Sequence, residues 1–177
     1  MNTPFTIIVA VDKDFGIGRN GLLPWDLPGE IKHFKEVTSA PWNTNENVVI
    51  MGRKTWDSIP QRFRPLSKRI NIVLTRHSEN QFSRGVLKAS SFDDALELLR
   101  SDILKGAFGK VFVIGGAELF QLAINHPECR EIYLTHINES FNCDRFFPSL
   151  PDTFKEVSRS AAMLEKGIEY SFVVYKR

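Results

Sequence analysis

The residues with the clearest capacity for chemistry run from Gly16 to Lys35, Gly-Ile-Gly-Arg-Asn-Gly-Leu-Leu-Pro-Trp-Asp-Leu-Pro-Gly-Glu-Ile-Lys-His-Phe-Lys. The stretch begins as a glycine-rich loop able to take positive φ and to swing. Pro24 and Pro28 stiffen its exit, and Pro28 suits the first turn of a helix. On such a helix Glu30, Phe34 and Val37 fall at i, i+4 and i+7 and share one face, with Ile31 beside them. A carboxylate on an apolar helix face is unusual, because burying an unpaired charge is costly. Glu30 then either meets a partner or has a raised pKa suited to handling protons. The plainer alternative is an acid in a first helical turn, favoured there by the macrodipole.

Other chemistry-bearing residues stand where strands are expected to end. Gly52-Arg53-Lys54-Thr55 lies between a strand and a helix. Free amides and a positive helix end suit a phosphate there, and two cations and a hydroxyl add to the attraction; a solvated basic face is the alternative. Leu74-Thr75-Arg76 closes another strand, and ligands of open α/β sheets sit beyond the carboxyl ends of strands. Its hydroxyl and guanidinium could take a terminal phosphate monoester, although a lone arginine there is more often simply solvent-exposed. In Ile114-Gly115-Gly116 the glycines allow a backbone approach that a side chain would block, or simply a tight turn.

Gly16-x-Gly18-x-x-Gly21 has the spacing of a dinucleotide-binding fingerprint. That fingerprint needs a helix opening at its end, and Leu22-Leu23-Pro24 delays the helix, so a flexible lid is the better reading. Arg69 opens a strand, where by itself it reads as an exposed basic residue. Thr135 is the polar residue of Tyr133-Leu134-Thr135-His136 that faces away from its neighbours. Asp144 reads as a loop acid.

The elements that must position these residues follow from periodicity. Thr6 to Val11 and Asn47 to Met51 are continuous apolar runs, expected as buried strands of a parallel sheet. Ile70 to Thr75, Val86 to Ala89, Lys110 to Ile114 and Glu131 to Ile137 read as further strands. Helices are expected from about Pro28 to Thr38, at Arg53-Lys54-Thr55-Trp56, after Ser91, whose spacing to Asp94 resembles a cap, and from Ala117 to Ile124. Pro60 to Ser67 is irregular. Phe154 to Ala162 and Tyr170 to Lys176, joined by a turn at Lys166-Gly167, predict a terminal antiparallel hairpin. Strand–helix alternation ending in a hairpin implies an α/β sheet with an antiparallel edge.

Length and composition set bounds. A chain of 177 residues is expected to form one domain over 1–177, burying roughly two-thirds of its unfolded surface. Charge is nearly balanced, 23 basic against 21 acidic residues, so no nucleic-acid partner is expected. There is no 18-residue apolar run and no signal-peptide pattern, so neither a membrane partner nor export is expected. Cys129 and Cys143 read as free thiols of a reducing cytoplasm. The scattered histidines give no metal-ligand spacing, and no metal is expected.

Gly-Ile-Gly-Arg-Asn-Gly-x-Leu-Pro-Trp followed by Glu30, five residues after Trp25, resembles the dihydrofolate reductase family, whose motifs continue in order to about Pro148. The resemblance implies a single α/β domain with a mostly parallel eight-stranded sheet flanked by helices and ending in an antiparallel hairpin. It implies hydride transfer from C4 of NADPH to C6 of dihydrofolate, with a proton delivered to N5. Glu30 would hold the pterin and raise proton affinity near N5 through a water admitted beneath Leu23; Trp25 would orient that water, and Thr135 would bond the acid. Ile8, Val9, Ile31, Phe34, Ile59, Leu66 and Ile114 would line the substrate, and Arg69 would pair with its glutamate tail. Gly52, Arg53, Lys54, Thr55 and Ser58 would hold cofactor phosphates, and Leu74, Thr75 and Arg76 the adenosine 2′-phosphate. Ala10, Ile17, Gly21, Ile114, Gly115, Gly116, Ala117 and Glu118 complete the implied cofactor contacts, with an unusual cis peptide between the glycines. Asp144 would tether the lid. Four positions beyond Gly116 the family usually has Tyr, and here Phe120 departs from it. Antifolate binding and a monomer are further expectations.

Overall fold

A computed structural model of the chain describes residues 2–77, 79 and 81–177. In chain order the elements are β1 (Phe5–Val11), β2 (Gly16–Gly18), α1 (Pro28–Ser39), β3 (Asn47–Gly52), α2 (Arg53–Ser58), β4 (Arg69–Leu74) and β5 (Val86–Ala89). They continue with α3 (Phe92–Arg100), β6 (Val111–Gly115), α4 (Ala117–Asn125), β7 (Cys129–Ile137) and β8 (Arg145–Phe146). β9 (Lys155–Arg159), β10 (Met163–Glu165) and β11 (Ile168–Lys176) finish the chain.

The main sheet places β5, β4, β3, β6, β1 and β7 side by side and parallel, then β11 antiparallel on β7. β9 and β10 both pair antiparallel with β11, so the nine strands occupy eight positions. β1 and β3 are buried along almost their whole length, without the alternation of a half-exposed strand, because helices cover both faces. α1 and α2 pack over Ile8, Val49, Met51 and Val73 through Phe34, Val37 and Trp56. α3 and α4 pack over the other face through Phe92, Ala95, Leu96, Leu99, Leu119, Phe120, Ala123 and Ile124. The chain crosses the sheet in one direction through α1 and α2 and returns through α3 and α4. Right-handed crossovers therefore put the two pairs on opposite faces.

Local signals act as their chemistry dictates. Ser91 accepts from the Asp94 amide at 3.1 Å and starts α3. Lys166 and Gly167 take φ of 52° and 79°, the conformation a two-residue hairpin turn requires. The first arm of that hairpin differs from the single strand expected over Phe154 to Ala162. Ser160 bonds Phe172 through both its own amide and its hydroxyl, which breaks the ladder between β9 and β10. A further pairing that no periodicity announced joins β2 to β8 across the glycine loop.

Candidate active site

The carboxyl ends of β7, β1, β6, β3 and β4 line up along one edge of the sheet, and the chemistry-bearing residues gather there. Glu30 enters from the first turn of α1 and is only 7% exposed. Thr135, on β7 beside Ala10 of β1, donates its hydroxyl to Glu30 Oε1 at 3.4 Å. No cation pairs with Glu30 among the described residues. Burial pushes its carboxyl up to about 7, against a smaller downward pull from Thr135. Trp25 is buried against Phe141, and its indole Nε1–H is buried with no hydrogen-bond partner among the described residues.

Of the expected wall, Ile8, Phe34, Ile59, Leu66 and Ile114 belong to one apolar cluster under α1 and α2. Val9 does not: successive strand residues point to opposite faces, and Val9 packs with the core beneath α3 and α4. Ile31 is 51% exposed and packs in no core cluster, so its side chain stands free at the helix surface. Leu23 is likewise exposed. Arg69 is 8% exposed, yet its bonds are to neutral groups, from Nη1 to the Thr38 hydroxyl at 2.8 Å and from Nε to the Ser67 carbonyl at 2.9 Å. Burial holds its guanidinium below the usual value.

The strand ends of β3 and β6 approach closely. A Cβ on Gly52 would stand 3.8 Å from both Gly115 O and Gly116 N. One on Gly116 would stand 3.3 Å from Thr55 Oγ1, and Gly115 takes φ of 124°, which an L side chain rarely adopts. The Gly115-Gly116 peptide is cis. α2 and α4 start at this point, at Arg53 and Ala117, and neither has a side-chain cap. Glu118 lies in the first turn of α4. Arg53 bonds Asp57 at 2.6 Å, Ser58 Oγ bonds the Thr55 carbonyl at 2.7 Å, and Lys54 is exposed. Leu74 ends β4, Thr75 Oγ1 accepts from the His77 amide at 3.2 Å, and Arg76 is exposed.

The family model of dihydrofolate reductase matches residues 4–177. The chain belongs to the dihydrofolate reductase family. It is 40% identical over 185 residues to a rat dihydrofolate reductase, covering 100% of this chain and 99% of that protein. It is 36% identical to a Drosophila melanogaster dihydrofolate reductase over 180 residues, 98% of this chain and 97% of the other. It is also 42% identical over 177 residues to a bifunctional dihydrofolate reductase-thymidylate synthase of Glycine max, covering 98% of this chain and 33% of that protein. The chain thus spans about a third of the length of such bifunctional relatives.

Within this reductase fold the glycine loop is fastened rather than free. Asn20 N donates to Asp144 Oδ2 at 2.9 Å, and Asp144 N donates to Gly18 O at 3.0 Å, so Asp144 holds the loop as a tether would. Gly21 takes φ of 76°, and Ile17 is half-buried against the core. Sequence reasoning missed Asp12, which is 1% exposed at the root of this loop. It accepts from Gly16 N at 2.7 Å, Asp14 N at 2.9 Å and Phe141 N at 3.0 Å, and those amides draw its carboxyl below the ordinary range against the penalty of burial. An acid directly ending the apolar run of β1 was the available signal. Phe120, where the family usually has Tyr, turns into the core: it is 3% exposed and meets Phe147 edge-on at 5.2 Å.

Proposed function

We propose that this chain catalyses NADPH-dependent reduction of 7,8-dihydrofolate to 5,6,7,8-tetrahydrofolate, supplying one-carbon units for thymidylate, purine and glycine synthesis. The observation that carries the reading is Glu30, a buried carboxyl whose described partner is a neutral hydroxyl and whose proton affinity is raised to about 7. A general acid or base works best when its pKa lies near the working pH.

NADPH, when bound, supplies the hydride. The protein's share is binding, orientation and the proton. Glu30 holds the pterin's 2-amino group and N3 and raises proton affinity near N5. Trp25 offers its open indole N–H to a water beneath Leu23, and Thr135 keeps the carboxyl oriented. Ile8, Phe34, Ile59, Leu66 and Ile114 supply apolar walls, with Ile31 at the mouth and the Val9 position contributing only through its backbone. Arg69, buried with no counter-ion among the described residues, takes a tail carboxylate. Gly52, Thr55, Gly115 and Gly116 suit a phosphate-bearing cofactor because two helix starts meet there and a Cβ on Gly115 or Gly116 would crowd Phe120 or the Thr55 hydroxyl. Arg53, Lys54 and Ser58 add to the phosphate contacts, and Leu74, Thr75 and Arg76 favour a 2′-phosphate. Ala10, Ile17, Gly21, Ala117 and Glu118 lie along the remaining cofactor path.

The same reading makes the protein a cytoplasmic monomer that binds small molecules, antifolates among them, with no nucleic-acid or membrane partner. Both cysteines are free, and no helix among the described residues is long and apolar enough to cross a membrane. The test is NADPH oxidation followed with and without dihydrofolate. Substrate-dependent oxidation is expected. Oxidation with a pterin lacking the glutamate tail but none with dihydrofolate would redirect the substrate assignment.

A further inference from the structure

Gly29, the second residue of α1, precedes Glu30, and its amide is one of the N-terminal donors that a helix cannot satisfy internally. α1 brings no side-chain cap of its own. The Gly29 amide donates instead to Glu165, at 3.0 Å to Oε2 and 3.3 Å to Oε1. Glu165 is the last residue of β10, in the terminal hairpin. The hydroxyl of Tyr170, itself 4% exposed, donates to the same Oε2 at 3.1 Å. This approach depends on the missing side chain at position 29: a Cβ there would stand 2.4 Å from Tyr170 Oη and 3.0 Å from Glu165 Oε2. The next hairpin residue, Lys166, pairs with Asp26 just ahead of the helix.

We infer that Glu165 is a positioning residue for Glu30, capping α1 from the C-terminal hairpin and keeping the proton affinity of Glu30 high by placing a negative charge at the helix's positive end. The inference rests on the proton role of Glu30 proposed above. A helix N-terminus stabilises an anionic side chain in its first turn, which would draw Glu30 toward the charged form. The Glu165 carboxylate accepts from the Gly29 amide at that end and offsets its potential, which favours a protonated Glu30.

The other groups around Glu30 leave this charge uncompensated. Thr135 on β7 and Tyr170 on β11 are neutral at pH 7, and burial, Glu165 and Glu30 together push the Tyr170 phenol up. His33, one turn along α1, stacks on Phe172 of β11 with ring centroids 3.6 Å apart, and burial pushes its pKa down, so it too is neutral. Lys32 pairs with Glu36 on the solvent side of α1, and Asp26 with Lys166.

The experiment uses E165Q, which keeps an acceptor oxygen but loses the charge, and E165A, which loses both. The titration of Glu30 is read from its carboxyl carbon by NMR in the protein without substrate, with E30Q to assign the signal. The expected result is a midpoint lower by about half a pH unit in E165Q. The same displacement is expected in the pH profile of kcat/KM, with kcat reduced more than KM is raised. E165A should show the shift together with a lower Tm; if E165A does not fold, E165Q alone decides. An unmoved or raised midpoint, with only Tm lowered, would leave Glu165 as a structural cap and overturn the inference. Failure of the underlying reading looks different: E30Q would then keep the unmutated pH profile whatever E165Q does.

Discussion

Glu30 and Arg69 are 7% and 8% exposed, whereas Arg53, Lys54 and Arg76 stand in solvent. The buried pair carries opposite charges, yet each is met by neutral groups, a threonine hydroxyl for one and a hydroxyl and a carbonyl for the other. On the exposed side Arg53 is already paired with Asp57 at 2.6 Å. A buried charge met only by neutral groups costs folding stability, so its retention points to a ligand or to a structural role of its own. An exposed charge costs almost nothing, so its presence says little. In the proposed reading the substrate side is marked by energy that folding gives up, and the cofactor side by the positive φ of Gly115 and its tight fit against Phe120.

The strongest way to break this contrast is E30Q. It keeps the shape and removes both the charge and the proton affinity. Turnover near pH 7 is expected to fall by about a hundredfold or more, with cofactor binding nearly unchanged and activity recovering as the pH drops. Steady-state turnover from about pH 5 to 9 checks it; near-normal activity at pH 7 would remove Glu30 from the mechanism. Stability should move the other way. The Glu30 pKa is raised from 4.5 to about 7 on folding, so the native state binds the extra proton between those values and stability declines as pH rises through them. E30Q escapes that decline, and its Tm advantage should be absent below about pH 4.5 and full above about pH 7. At about 1.36 kcal/mol per pKa unit the upper bound is ~3 kcal/mol.

Arg69→Leu comes next. A charge-assisted hydrogen bond contributes about 1.5–3 kcal/mol, so KM for dihydrofolate should rise about ten- to 150-fold. A pterin without the glutamate tail should be nearly indifferent to the change. Equal losses for both substrates would make the Arg69 bonds to Thr38 and Ser67 its whole role, and the burial of its charge a matter of folding alone.

What could be read from the sequence followed from how locally each feature is encoded. The continuous apolar run of β1 and the Ser91–Asp94 cap carry their own signals, and both stand in the structure. Glu30 was legible because a carboxylate at an apolar helical position is a contradiction visible within a few residues. The β2–β8 pairing was not, because Gly-Ile-Gly has no alternation and its partner, Arg145–Phe146, lies far along the chain. The face that Val9 takes was hidden for a related reason: an apolar run buried on both faces does not reveal which residue points to which face. The contact from Glu165 to Gly29 spans 136 positions and leaves no trace in either local pattern.

The smallest effects belong to the exposed half, where they sharpen the comparison. Arg76→Ala removes one charge-assisted contact to a 2′-phosphate and should narrow the preference for NADPH over NADH about tenfold. If the unmutated protein already binds both cofactors equally, the 2′-phosphate assignment is wrong. Arg53→Ala should do less, a loss of about two- to fivefold for both cofactors, because its guanidinium already has a carboxylate partner and exposed pairs contribute about 0–1 kcal/mol. Asp57→Asn supplies the complement. It releases Arg53 without deleting it, and because a shared Asp57 anion then no longer competes with phosphate, NADPH should bind slightly tighter at low salt. Cofactor titrations of the three variants at two ionic strengths decide the order. A loss in Arg53→Ala as large as that in Arg69→Leu would mean that exposure hides as much function as burial reveals, and the contrast between the two halves would fail.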